Sequence, residues 1–204
     1  MKIKTHPMHM DIGGISQGSS YSKTMGRFEF ILQNKLGVNK PQRVLPDLSA
    51  DSSEKLTLKA SEIVADVKRK SAGAAEKIDA YFKDTPLRNL GSAFEKAQDK
   101  YGVNAFFLAS IAGLESGNGS SRIAKDKRNL FGFGAFDDSP YESAKSFSSF
   151  EEGIDKVAKY LSEEYLHENG NYYRGNSTED INKSYATDKN WHKKINRIID
   201  KMTE

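Results

Sequence analysis

Glu115 extends an apolar stripe. The run Asn104-Ala-Phe-Phe-Leu-Ala-Ser-Ile-Ala-Gly-Leu114 predicts a short buried helix, in which Leu108 and Ile111 share one face with Glu115. The glycine-broken segment Ser116-Gly117-Asn118-Gly119 follows at once. A carboxyl at the buried end of a helix, facing a loop that a ligand can approach, loses the hydration of its charged form. Its pKa is pushed up, which makes a ready general acid near neutral pH. The alternative is an ordinary glutamate on a last helical turn with its head in water. The histidines offer no second chemistry. His6 and His9 stand three apart with no acidic partner, and His167 and His192 complete no metal spacing. Neither a metal nor an organic cofactor is expected.

A buried helix needs neighbours, and the sequence supplies stripes for them. Asp51-Ser-Ser-Glu54 has capping-box spacing ahead of Leu56, Ala60, Ile63, Val64 and Val67, which predicts a helix near 54–70. Gly73 interrupts it, and a second stretch runs to Phe82 before Pro86. Leu87, Leu90, Phe94, Ala97 and Tyr101 then line one face, with Gly102 as the stop. From Leu130 to Phe147 no helical period survives. Phe131, Phe133 and Phe136 lie among glycines, which reads as a small irregular lobe with room for a short β-hairpin. Ser149-Phe-Glu-Glu152 is a second capping box, opening a helix with Ile154, Val157, Ala158, Leu161 and Tyr165 on one side. A polar loop, a short turn or helix near Thr178 to Lys183, and a last helix follow. Asp188 can cap that last helix, whose stripe is Trp191, Ile195, Ile198 and Met202. Residues 1 to about 50, with Gly13-Gly14 and Ser16-Gln-Gly-Ser-Ser20, read as an arm or linker. The domain plan is an extension over 1–75 and a mostly helical domain over 76–204.

Composition excludes several classes. The chain has 204 residues, 37% hydrophobic and 29% charged, with a net charge of +3 and no cysteine. There are no disulfides, no thiol nucleophile and no thiolate metal site. No run approaches the ~18–20 apolar residues that span a bilayer, and the first ten residues lack a signal-peptide core. Lys68-Arg69-Lys70 is the one dense basic cluster. With Glu62 and Asp66 nearby it reads as a solvated face and not as a nucleic-acid site. Mild basicity suits an anionic polymer such as a cell wall.

Three blocks in order, Glu115-Ser-Gly-Asn-Gly-Ser-Ser121, Asn129-Leu-Phe-Gly-Phe-Gly-Ala-Phe-Asp137 and Tyr185-Ala-Thr-Asp-Lys-Asn-Trp191, resemble glycoside hydrolase family 73. These are bacterial and phage N-acetylglucosaminidases that cut peptidoglycan. The resemblance covers residues 80 to 204. It implies a mainly α, lysozyme-like helical domain with a small β-lobe, preceded here by the N-terminal extension. It also implies a glycan groove and hydrolysis of the β-1,4 bond after N-acetylglucosamine. Glu115 then fills the family's acid position, since breaking an acetal needs a proton on the leaving oxygen. Ser116, Gly117 and Asn118 would lie along the sugar, where glycines permit close approach.

Further roles come from the same resemblance. Tyr185 fills the motif tyrosine, either holding an acetamido group or orienting a water. The alternative is a buried aromatic with its hydroxyl paired. Asp188 belongs to the same motif as a substrate contact or, with more weight, as a helix cap, and Trp191 reads as core. The family places a second carboxylate in the lobe, where Asp137, Asp138 and Glu142 stand; Glu142 and Asp138 rank equally. Glu151 and Glu152 are better explained as first-turn charges. Phe133 and Phe136, with Phe131, form either a stacking wall for sugar rings or the lobe's own core.

The expected partner is the glycan strand of peptidoglycan, with neither nucleic acid nor membrane insertion. The start of the chain suggests a phage lysin, released through a holin or carried on the virion, with residues 1–75 docking to a tail or other assembly. A secreted autolysin fragment is the other source. The rival activities are a lytic transglycosylase, which shares the lone Glu, and a non-catalytic wall-binding module.

Overall fold

The computed structural model describes residues 58–136 and 138–204. The Asp51–Glu54 capping box, the arm and Asp137 lie outside the described residues. The first helix, α1 (Ala60–Ala65), is shorter than the predicted 54–70 helix. Val67 is fully buried but leaves the helix. Its N–H donates to the Asn176 carbonyl at 3.0 Å, and its own carbonyl accepts from Asn104 N–H at 2.7 Å. Long-range backbone bonds have replaced helical ones. The basic cluster therefore sits in a turn, with Arg69 paired to Glu62 at 2.9 Å and Lys70 to Asp99 at 3.3 Å.

Helix α2 (Ala74–Tyr81) packs against α3 (Gly91–Tyr101) and α4 (Ala105–Ser116). Gly91 lets α2 and α3 approach closely: a Cβ there would stand 2.1 Å from the Ala75 carbonyl oxygen. Gln98 joins three segments with one amide. Its Oε1 accepts from Ser71 N and Ala105 N, and its Nε2 donates to the Ser71 carbonyl, each at 3.0 Å. Asn104 caps α4, its side-chain oxygen accepting from Phe106 N and Phe107 N. Residues 105–113 of α4 are all buried, so α4 is apolar on every side, as a helix inside a core must be. It carries Glu115 on its last turn.

Helix α5 (Arg122–Lys127) follows, and α6 (Pro140–Ser143) is a single turn inside the lobe. Helix α7 (Phe150–Glu164) lies along α3. Ser149 caps it by accepting from Glu152 N at 3.2 Å, and Glu152 reaches back to Ser148 N at 2.7 Å. The capping pair predicted from sequence is present, shifted by one residue on its return contact. Helix α8 (Thr178–Tyr185) and α9 (Trp191–Thr203) complete the body, α9 packing on α4 and α8. The buried face of α9 is Trp191, Ile195, Ile199 and Met202, while Ile198 is half-buried at its edge.

The fold is mainly α, as expected. The lobe differs from a β-hairpin: no strand is present among the described residues. Asn129 does the work of a ladder. Its Nδ2 donates to the carbonyls of Phe133 and Lys145, each at 2.9 Å. Its Oδ1 accepts from Phe131 N at 3.2 Å and Phe133 N at 3.0 Å. Gly132 and Gly134, at φ 61° and 77°, curl the chain around that amide, a conformation extended strands do not contain.

Candidate active site

Glu115 leaves α4 where the helix must stop. Gly117 takes φ 57° as its C-cap, and Asn118 N–H returns to the Gly113 carbonyl at 2.8 Å. Ser116 is buried and its hydroxyl is committed, donating to the Ala112 carbonyl at 2.5 Å and accepting from Gly119 N at 2.6 Å. Gly119, at φ 82°, presses against the interior: a Cβ would stand 2.5 Å from Leu87 and 2.9 Å from Pro86. Ser121 then caps α5, accepting from Ala124 N at 3.2 Å. The motif is thus largely a tight helix-to-helix turn holding Glu115 still. Within it, Gly117 and Asn118 are exposed.

Glu115 as a residue is half-buried, with its carboxyl turned inward onto Trp191. Burial pushes its pKa above the usual glutamate value, against two opposing effects: a hydrogen bond from Trp191 and the positive charge of Lys194. Trp191 Nε1 donates to Glu115 Oε1 at 2.9 Å. The indole is 2% exposed. It is held edge-on to Phe107, ring centroids 6.4 Å apart, and against Tyr185 at 4.6 Å. Core and polar contact coincide in Trp191, and only the first was legible as part of a stripe. A buried indole N–H does need a partner, and that rule was the available signal.

Tyr185 is 7% exposed and closes the last turn of α8. Burial and the Glu115 charge keep its phenol well above the ordinary tyrosine range, so it is neutral at any physiological pH. Its hydroxyl makes no hydrogen bond among the described residues. Asp188 braces the loop between Tyr185 and Trp191. Its Oδ1 accepts from Asn190 N at 2.9 Å, its Oδ2 from Lys194 Nζ at 2.7 Å, and its carbonyl from Trp191 N at 3.0 Å. The side chain caps the turn before α9 and not the helix N-terminus itself, whose cap is Asn190. Asn182 ties the same loop from α8, its amide donating to the Asp188 carbonyl at 3.0 Å. A cleft of about 760 Å³ borders this loop, with Asn182, Ala186, Thr187 and His192 among its walls.

Glu115, Trp191, Tyr185 and Lys194 are therefore brought together. The lobe acids are not joined to them: Asp138 and Glu142 are exposed, and neither side chain contacts that cluster among the described residues. Phe133 is buried, packed on Phe147 and, edge-on, on Tyr160. Phe136 is 41% exposed. Of the aromatic pair expected at the sugar, Phe136 is exposed and Phe133 belongs to the lobe's own core. Asn129, the organiser of the lobe, stood in the second sequence block without an assigned role.

The body is helical, with an acid at a helix end backed by an indole and a phenol. The model of the family described as mannosyl-glycoprotein endo-beta-N-acetylglucosaminidase matches residues 91–204. The chain belongs to this glucosaminidase family, as its three sequence blocks implied. It is 38% identical over 136 residues to a putative endo-beta-N-acetylglucosaminidase of Streptococcus pneumoniae, covering 64% of this chain and 20% of that one. A bifunctional autolysin of Staphylococcus aureus is 30% identical over 141 residues, 57% of this chain and 11% of its own. The chain thus spans about a fifth or less of the length of these curated relatives. Among solved structures, S. aureus autolysin E is similar with a TM-score of 0.56 and 31% identity, over 72% of this chain and 73% of that one. A catalytic mutant of the same autolysin, in complex with the disaccharide NAG-NAM, has a TM-score of 0.55 over 68% and 70%.

Proposed function

We propose that this chain is a peptidoglycan hydrolase that cleaves the β-1,4 bond after N-acetylglucosamine, with Glu115 as general acid. The observation that carries the reading is the Glu115 carboxyl, kept toward its neutral form by burial on a helix end that the rest of the domain holds fixed. Family membership supplies the reaction, and the NAG-NAM complex of autolysin E supplies the substrate class. Glu115 protonates the glycosidic oxygen as the bond breaks, and the ring passes through an oxocarbenium-like state. Tyr185, neutral and with its hydroxyl uncommitted, is suited to hold an acetamido group or a water beside that carbon. Phe136 offers a stacking face, and Gly117 and Asn118 an approach along the turn. Ser116 and Asp188 contribute by fixing the two loops, and Phe133 by filling the lobe against Phe147 and Tyr160.

A lobe acid, Glu142 or Asp138, would activate water on the far side of the sugar once the lobe closes, which gives inversion. The deciding experiment is digestion of purified peptidoglycan with mass spectrometry of the products. A new reducing end on N-acetylglucosamine is expected. An anhydro-muramic product would replace this reading with a lytic transglycosylase, and binding without product would replace it with a wall-binding module.

A further inference from the structure

We propose that Trp191 is a positioning residue that decides which oxygen of Glu115 carries the catalytic proton, holding Oε1 as acceptor so that the proton rides on Oε2. The inference rests on the glucosaminidase reading for the use made of that proton, but the contact itself does not depend on it. Indole is a donor only. An N–H at 2.9 Å from Oε1 is best met by a carbonyl-type oxygen, a stronger acceptor than the hydroxyl oxygen of a neutral carboxyl. The neutral acid therefore favours its carbonyl oxygen toward Trp191 and its hydroxyl on the other side.

The indole cannot turn away to relieve a wrong choice. It is buried between Phe107 and Tyr185 and starts α9, whose first turn is tied down by Asp188. The other groups acting on Glu115 do not compete for the role. Lys194, from α9, acts through its charge and is hydrogen-bonded to Asp188 at 2.7 Å. Tyr185, from α8, is a neutral phenol. From α2 and α3 no charged group acts on Glu115 among the described residues. A hydrogen bond that favours the carboxylate also limits how far burial raises the acid's pKa. Trp191 thus sets both the direction and the upper pH limit of proton delivery.

The chain contains one tryptophan, which makes the test clean. The full chain is produced with 15N-labelled tryptophan, and separately with benzothienylalanine in its place, an isostere with sulfur where the N–H was. In the labelled chain the single indole N–H signal is expected to titrate once, with a midpoint matching the alkaline limb of peptidoglycan hydrolysis, and to lose that titration in Glu115→Gln. The isostere is expected to lower kcat by about tenfold or more, with KM changed less than about threefold. Its alkaline limb should move to higher pH, because the carboxylate has lost a donor. An isostere with unchanged kcat and an unmoved limb overturns the proposal, as does an indole signal that ignores Glu115 in an active chain. A labelled chain that is inactive on peptidoglycan, yet shows the Glu115-linked titration, overturns the glucosaminidase reading instead.

Discussion

Around Glu115 the chain is held by apolar burial. Residues 105–113 are enclosed by α2, α3 and α9, and the acid is added at the end of that enclosed rod. Between Asn129 and Phe147 the chain is held by one side-chain amide making four hydrogen bonds, and by Phe133 packed on Phe147 and Tyr160. The first region fixes its geometry through many small contacts spread over every side of the helix. The second relies on a small set of polar contacts in which Asn129 has the largest share, beside Lys145 N to the Phe133 carbonyl at 2.9 Å and Lys127 Nζ to the Ala144 carbonyl at 2.8 Å. The two are linked by rings: Phe133 meets Tyr160, Tyr160 meets Tyr165, and Tyr165 meets Tyr185, which lies against Trp191. The difference suggests a division of labour, with a rigid body to aim the proton and a lightly held lobe to close on substrate.

The largest effect should come from the body. Glu115→Gln is expected to lower peptidoglycan hydrolysis at least ~100-fold, measured as release of reducing ends at equal enzyme. The same change should stabilise the fold. Burial raises the Glu115 pKa, so the folded chain holds this proton to higher pH than the unfolded chain. The stability from Glu115 is full below the ordinary glutamate value and is lost as pH rises through the folded value. Glutamine suffers no such loss. Its Tm should exceed wild type by about 2–4 °C near pH 7, with the gap closing near about pH 4. Wild-type activity should fall as pH rises through that folded value, since the acid must be protonated.

The lobe acids come next. Either Glu142→Gln or Asp138→Asn is expected to lower turnover by about 100-fold with binding retained, and proton NMR should show an inverted first product. Two active mutants and a retained anomer would assign the second role to the substrate's own acetamide. Asn129→Ala tests how the lobe is held. The Phe133 carbonyl keeps its bond from Lys145 N, but the Lys145 carbonyl and the N–H groups of Phe131 and Phe133 lose theirs, which should cost the lobe about 2–4 kcal/mol. Limited proteolysis should then cut within 131–147 while the helical body melts within about 4 °C of wild type. If the body melted along with the lobe, the division drawn above would fail. The smallest change is Tyr185→Phe. It removes a hydroxyl with no hydrogen bond among the described residues, so Tm should stay within about 2 °C of wild type. Activity should fall by about tenfold. A lower Tm with unchanged activity per folded molecule would make Tyr185 purely structural.

Where burial is periodic, the sequence was a good guide. The stripe of α7 matches its buried face, and that of α3 does so up to the half-buried Tyr101; α4 is buried all round, and Glu115 stood out because it continued one side of it. Periodicity gave way where long-range backbone bonds took over. Val67 fits the α1 stripe, but its backbone bonds lie with Asn104 and Asn176, distant in sequence. The lobe was legible as irregular but not as the work of Asn129, because an amide that replaces a β-ladder leaves no period. Trp191 shows the limit within the site. Its apolar ring satisfied the α9 stripe, and that concealed the polar edge turned toward α4.

The enclosure of α4 also bears on how such an enzyme could be retuned. A helix with neighbours on every side has no neutral positions along 105–113. Even its glycine is occupied ground, since a methyl at Gly113 would stand 2.9 Å from the Phe82 ring. A saturation library scored for folding and not for activity should show a near-silent band there and tolerance at exposed lobe positions such as Asp138 and Glu142. Lineages of this architecture would diversify from the lobe inward, altering which glycan is gripped long before altering how its bond is broken.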